Sequence, residues 1–508
     1  MRASAIENAG IEEEKSMNFH WLIALWLFAL AMPSVAFSAT PNPAPTPSMI
    51  QHEVERLLHH SGAVMNAIDL DQMGLSRAKT PVQPWTSSYW PDSIGGIAVR
   101  YGRKSVLGQK IETALNYGWN RDQWKAKDYR MKKNALSLSE DEIARELAPS
   151  EKYDLLMGDM NFTLTNNIIA DIDYRYHYKL NPQGSWYPDV GMMSWVGICD
   201  GWTVASLHTP RPVRTIRVRG ATGQMITFYP DDLKALASHL FARAGSWLGI
   251  ERVGNRCQAH KNGRVGDCND IDAGLWHAAV MNRIGIDHRG FIIDVDNNFK
   301  VNNHPVFGYD VQYFNPVTGA AGTIMKSTVP IDQVQAMGQT GFSPDATMIV
   351  GVRMTLTMLD YAWPTGEETD SPKFDKLRTA TYVYALEMDP QGQILGGKWQ
   401  SQGHKFLFFG TAAEKQPDMI WMIAPNQLAW SSTSTQADDG PVIDPKNPEI
   451  WGNVDWRFKG DGRIPVDWFN ASLKAARFAW PAAAPFSPIT SAHPLAEMVY
   501  YLMDRARE

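Results

Sequence analysis

Gly197-Ile198-Cys199-Asp200-Gly201-Trp202-Thr203-Val204-Ala205-Ser206-Leu207 is the stretch on which the fold turns. Thr203 to Leu207 has helical character and Pro210 stops it, so Cys199 falls at or just before a helix N-terminus. The unpaired N–H groups and macrodipole at such an end favour thiolate over thiol. Gly197 and Gly201 leave room for a substrate backbone to approach. The competing reading is a buried structural cysteine, the commonest fate of a free thiol.

The other two of the three cysteines, Cys257 and Cys268, bracket the polar loop Gln258 to Asp267 and read as a disulfide pair. That leaves Cys199 as the odd thiol, either intermolecular or reactive in an exported protein, and with His277 available the reactive reading is preferred. No CxxC or HExxH spacing supports a metal site. His277 follows the loop, in a stretch read as a helix from about Ala273 closed by Gly285 as a C-cap. A thiolate nucleophile needs a base and a third group to orient it. His277 is the candidate base, and Asp294, at the end of an apolar strand, is the candidate orienter. Asp296 shares its strand face, with Asp270 and Asp272 as fallbacks.

Trp21 to Ala31 is an apolar run followed by Pro33 and small residues, which reads as a signal peptide over 17–38 starting at Met17. The run is short for a transmembrane span. Cleavage near Ser38 removes two basic and four acidic residues and moves the net charge from −6 to about −4. No polyanion-binding signature remains. The densest basic group, Arg211 to Arg219, reads as strand residues with one solvated face. These features predict a secreted or periplasmic protein with no stable membrane insertion and no nucleic-acid partner.

Thr40 to Pro47 opens a proline-rich tether, 39–50, before the domain 51–430. Within it Ile50 to Leu58, segments from Ser137 to Leu164 with a capping signature at Ser139 and Glu142, and Pro230 to Leu240 read as helices. Beyond Asp287 the pattern changes to strands: Gly290 to Val295, Val311 to Phe314, Met348 to Val352 and Tyr382 to Leu386, with a turn at Asp389-Pro390-Gln391-Gly392. Trp430 to Pro448 reads as a linker, and 431–508 as a C-terminal extension ending in a helix near Leu495 to Arg505.

Several dispersed segments resemble the secreted transglutaminases first described as elicitors in oomycetes, as a bacterial member. They are Tyr89-Trp90-Pro91 with Gly95 to Tyr101, Pro149 to Asp159, Gly201-Trp202 after Cys199, Arg256-Cys257 through Cys268 to Trp276-His277, and Gly396-Gly397 with Trp399. Val301-Asn302-Asn303-His304-Pro305-Val306-Phe307-Gly308-Tyr309-Asp310-Val311 is similar to the exposed segment that plants perceive in the oomycete members. It departs by Asn302 where those have tryptophan and His304 where they have glutamine.

The resemblance implies an α+β protein with a papain-like or transglutaminase-like core, helices before and antiparallel sheet after the Cys/His region. It implies isopeptide cross-linking with calcium dependence, although Asp267, Asp270 and Asp272 do not have EF-hand spacing. By position Cys199 matches the nucleophile and His277 the base. Cys199 would then attack a glutamine carboxamide, and a lysine or small primary amine would resolve the thioester. Trp195, Trp202 and Trp276 are the candidate walls that exclude water. Two alternatives stay open: a thiol peptidase or deamidase with water as acceptor, and a non-enzymatic recognition protein.

Overall fold

Ser139 Oγ accepts the Glu142 N–H while the Glu142 carboxylate takes the Ser139 N–H, and this capping box starts helix Glu140–Glu146. Helices Pro149–Met157 and Thr163–Tyr174 follow, the first ended by Gly158 at φ 78°. The computed structural model describes residues 47–101, 135–174, 195–244, 250–254, 271–295, 300–399, 416–423, 466–476 and 492–507. All belong to one unit, Pro45–Glu508. The leader 17–38, the linker Trp430 to Pro448, Cys257, Cys268, Asp267, Asp270 and Asp296 lie outside the described residues.

The principal helices are α1 (Pro47–Leu58), α2 (Cys199–His208), α3 (Pro230–Ala244), α4 (Ala273–Val280) and α5 (Ala496–Arg507). The principal strands are β1 (Ile250–Gly254), β2 (Phe291–Asp294), β3 (Asn303–Phe314), β4 (Met348–Leu359), β5 (Leu377–Met388), β6 (Ile394–Trp399) and β7 (Met419–Ile423). They form one antiparallel sheet in the order β6-β5-β4-β3-β2-β7-β1, and three short strands pair with β3 and β4 off this path. The β5–β6 turn uses Asp389 as read from the sequence, its Oδ1 accepting from Gln391 N and Gln393 N, with Gly392 at φ 90°.

Alternation along the strands divides the apolar residues between two cores. Ile292, Met419, Trp421 and Ile423 join a first core with α2, α3 and α5. Phe291, Ile293, Ile420 and Met422 join a second core with α1 and α4. The sheet therefore separates α2, which begins at Cys199, from α4, which carries His277. This parity decides which candidate residues can meet.

The α+β class is observed, with helices before Cys199 and antiparallel sheet after Phe291. Arg217 and Arg219 do alternate outward from strand Ile216–Arg219, Arg217 pairing with Glu140. Gly285 is not a C-cap. The helix continues past Val280 as a π-turn, Met281–Ile286, and Gly285 lies inside it, where a Cβ would meet Tyr309 Oη at 2.7 Å. Residues past 431 also enter the first core: Trp468, Leu495, Met498, Val499 and Leu502 are buried there, and Tyr153 Oη accepts from Leu495 N at 2.8 Å. Among the described residues no helix is long and apolar enough to cross a membrane.

Candidate active site

Cys199 is the first residue of α2, preceded by Ile198, whose side chain offers no cap. Its thiol is partly exposed on the floor of a pocket of about 540 Å³ lined in part by Tyr89, Trp195, Asn303, Tyr361, Trp363 and Lys376. As a donor, Sγ faces Val301 O at 3.9 Å; as an acceptor, it faces Asn303 Nδ2 at 3.6 Å. Burial first, then the Asp200 carboxylate, pushes the thiol up to about 12, while the Asn303 N–H groups pull it down. The helix macrodipole is worth ~2 kcal/mol at best, about 1.5 pKa units. Burial outweighs it, so the resting group is a thiol rather than the thiolate expected from the helix terminus.

The strand ends hold the polar side of the site. Asp294 and Asn303 are register partners across β2 and β3, and Asp294 Oδ1 accepts from Asn302 N at 2.9 Å. Asp294 lies near enough to Cys199 to raise its pKa, though after Asp200. Trp421 Nε1 donates to Asn303 Oδ1 at 3.2 Å and fixes the carboxamide with its NH₂ toward sulfur. His304, one residue on, is wholly buried; its Nδ1 bonds Leu359 O at 2.8 Å and its Nε2 accepts from Arg378 at 2.9 Å. An imidazole that donates through Nδ1 and accepts at Nε2 is neutral.

The opposite wall is aromatic. Tyr89 packs edge-on to Tyr361 at 4.9 Å and lies 6.2 Å from Trp363, which is 41% exposed. Arg211 ties down the segment that carries Tyr361 and Trp363. It bonds Asp370 at 2.9 Å, Asp375 at 2.5 Å and Pro84 O at 2.8 Å, and Ala362 N reaches Ser87 O at 2.9 Å. A nearly buried Arg with two carboxylates and a carbonyl is a rigid anchor.

The structure does not bring His277 to Cys199. His277 is fully buried on the other side of the sheet, with Nδ1 bonded to Tyr384 Oη at 2.7 Å and Nε2 without a hydrogen-bond partner among the described residues. Burial depresses its pKa to about 3. No histidine lines the pocket among the described residues. The expected Cys199-His277-Asp294 relay is therefore corrected: Asp294 stands beside the Cys199 site, and the imidazole does not. Asp272 is an N-cap, its Oδ1 accepting from Gly274 N and Leu275 N and its Oδ2 from Gly397 N.

Of the three tryptophans expected to wall the site, only Trp195 lines it. Trp202 is buried with Nε1 donating to Trp85 O at 3.0 Å. Trp276 is buried in the second core, 5.2 Å from Tyr382 and 5.8 Å from Trp399. The glycines are corrected too. A Cβ at Gly201 would stand 2.0 Å from Ser238 O of α3, and one at Gly197 would stand 2.4 Å from Tyr89 O. Both glycines admit protein backbone, not substrate. Among the described residues no group of three His, Cys, Asp or Glu side chains could hold a metal ion. The calcium expectation rests partly on residues outside that set.

Residues 187–435 match the family described as Transglutaminase elicitor. That stretch resembles the elicitor-type transglutaminases. The matched stretch contains Cys199, Asp294, Val301 to Asn303, Tyr361, Trp363 and Lys376, so most of the pocket lies inside the family region. The chain is also similar to the crystal structure of the GP42 transglutaminase from Phytophthora sojae, at 18% identity and a TM-score of 0.49, over 75% of this chain and 92% of that one. No curated protein matches it.

The segment Val301 to Val311, singled out in the sequence, begins in the pocket lining. Val301, Asn302 and Asn303 line the pocket, and Asn303 and His304 are buried. Tyr361 and Trp363 escaped the sequence reading because they sit in a loop far from Cys199 along the chain. Asn303 lay inside a quoted motif, yet only strand pairing with Asp294 reveals what it touches.

Proposed function

We propose that this chain is a thiol acyltransferase of the transglutaminase type, with Cys199 as nucleophile. The observation that carries the reading is a free thiol at the start of a helix, in a pocket large enough for a side chain and its backbone, with an amide N–H aimed at sulfur. The match of residues 187–435 to the transglutaminase elicitor family supports the reaction class.

In the first half-reaction Sγ bonds to the carbonyl carbon of a glutamine side chain, the C–N bond breaks, and the thiol proton leaves with ammonia. In the second, a primary amine bonds to that carbon, the S–C bond breaks, and an amine proton returns to sulfur. Asp294 acts through the chain, holding Asn302 N and so keeping Val301 to Asn303 against the thiol. Tyr89, Tyr361, Trp363 and Trp195 cover the thioester and favour the amine over water. The glutaminyl and amine substrates are accessible protein side chains or small amines.

Amine incorporation into a glutamine-containing protein, with ammonia release measured in parallel, tests the reading. Ammonia release that is independent of added amine would assign a hydrolase instead. Absence of both from a chain whose Cys199 can be alkylated would leave a binding protein.

A further inference from the structure

We propose that the Asn303 carboxamide is the catalytic group that favours the Cys199 thiolate, with Trp421 as the residue that positions it. The proposal rests on Cys199 being the nucleophile. Three observations carry it. Asn303 Nδ2 donates toward Sγ at 3.6 Å, at the one reactive atom in the pocket. Asn303 Oδ1 is engaged by Trp421 Nε1 at 3.2 Å, so turning the amide over would set two donors against each other. And the strand end is pinned, since Asp294 Oδ1 takes Asn302 N at 2.9 Å.

The surroundings otherwise oppose ionisation. Asp200 on the same helix and Asp294 on β2 place negative charge near the sulfur. The carbonyl of Val301 suits the S–H form, which donates to it, and repels a thiolate. Lys376 is the one basic side chain lining the pocket among the described residues, and its Nζ lies 3.5 Å from Asp360. The hydrogen-bond donors set against Sγ among the described residues are those of Asn303, the backbone N–H together with the carboxamide. When Sγ loses its proton it gives up the bond to Val301 O and keeps a strengthened, charge-assisted one from Asn303.

Iodoacetamide alkylation of the full chain, followed at the Cys199 peptide by mass spectrometry from pH 6 to 10, reads thiolate without any acyl substrate. Below the thiol pKa the logarithm of the rate rises with pH, so a shift in pKa displaces the whole line. Asn303→Ala should lower the rate about tenfold to a hundredfold at every pH, the loss of one hydrogen bond to a charged group. Trp421→Phe should give a smaller fall in the same direction. Opening the pocket by truncation raises access, so a fall reports ionisation rather than space.

Unchanged or faster alkylation in folded Asn303→Ala would overturn the proposal. If that variant does not fold, the same result in folded Trp421→Phe does so. A wild-type chain with no amine incorporation but an Asn303-dependent alkylation line would sink the acyltransferase reading and leave this one standing.

Discussion

On one face of the sheet Cys199 lies on the floor of a pocket open to solvent, with an amide, a carbonyl and exposed aromatics converging on it. On the other, His277 is buried between α4 and β5, with a tyrosine hydroxyl as its only hydrogen-bond partner among the described residues and tyrosine rings on two sides. Both groups are strongly shifted by burial, the thiol upward and the imidazole downward. A perturbed pKa therefore does not mark a site by itself. What separates the two is access: only Cys199 combines desolvation with a route for a substrate and with polar groups aimed at the reacting atom.

The sharpest way to break that contrast is to mutate both residues. Cys199→Ala should reduce amine incorporation by more than about a thousandfold, the usual consequence of removing a covalent nucleophile, with thermal stability close to wild type. His277→Gln should keep activity within about tenfold and lose stability instead, by about 1–3 kcal/mol, as the Tyr384 hydroxyl loses its partner. Equal loss of turnover in two folded variants would mean that the imidazole reaches the thiol in a conformation other than this one.

The same contrast has a pH signature. The His277 pKa is depressed from an unfolded value near 6.5 to about 3. Its neutral form supports the fold above pH 6.5, and that support is lost as pH falls from 6.5 toward 3, at up to about 1.4 kcal/mol per pH unit. Cys199 has the opposite sign. Raised from about 9 to about 12, it removes stability only as pH rises above 9. Urea unfolding between pH 4 and 7 should show a shallower acid slope for His277→Gln than for wild type, and the same slope for Cys199→Ala. A slope that Cys199→Ala alone alters would contradict the assignment of burial to the two faces.

Gly201 tests how α2 is held on its face. Its missing Cβ lets α3 approach until Ser238 O would stand 2.0 Å from a methyl group. Gly201→Ala must push two helices apart and should cost about 1–3 kcal/mol, with the cost appearing as a lower thermal midpoint. A substitution tolerated without loss would show that the helix contact is looser than this packing requires.

The features legible in the sequence are those set by neighbours along the chain. The Ser139–Glu142 capping box, the Asp389–Gly392 turn, the alternation of Arg217 and Arg219 and the Cys199 helix junction depend on a few consecutive residues. Which face of the sheet a helix packs against depends on strand pairing far along the chain. The Asp294 to Asn303 register and the insertion of β7 between β2 and β1 fix it here. That is why His277 reads as a partner of Cys199 in sequence and lies on the other face in space. Trp202 and Trp276 misled for a related reason, since closeness to a catalytic residue along a helix does not say which side of the helix an indole leaves from. Gly201 could have been read as a helix contact, because a glycine early in a helix gives up propensity and needs a packing reason.

The aromatic wall separates the transferase reading from its hydrolytic rival with the smallest effect. Trp363 is 41% exposed, packs near Tyr89 and makes no hydrogen bond through its indole among the described residues, whereas Arg211 anchors its loop independently through Asp370 and Asp375. Trp363→Ala should therefore fold normally and leave Cys199 alkylation no slower than wild type. If the indole shields the thioester, water gains on the amine, and the ratio of amine incorporated to ammonia released should fall severalfold. Tyr361→Phe, which keeps the ring and removes only the hydroxyl, should leave that ratio unchanged. A Trp363→Ala enzyme with wild-type partition would mean that the exposed aromatics serve substrate docking alone, and shielding would pass to Trp195 and Tyr89 deeper in the pocket.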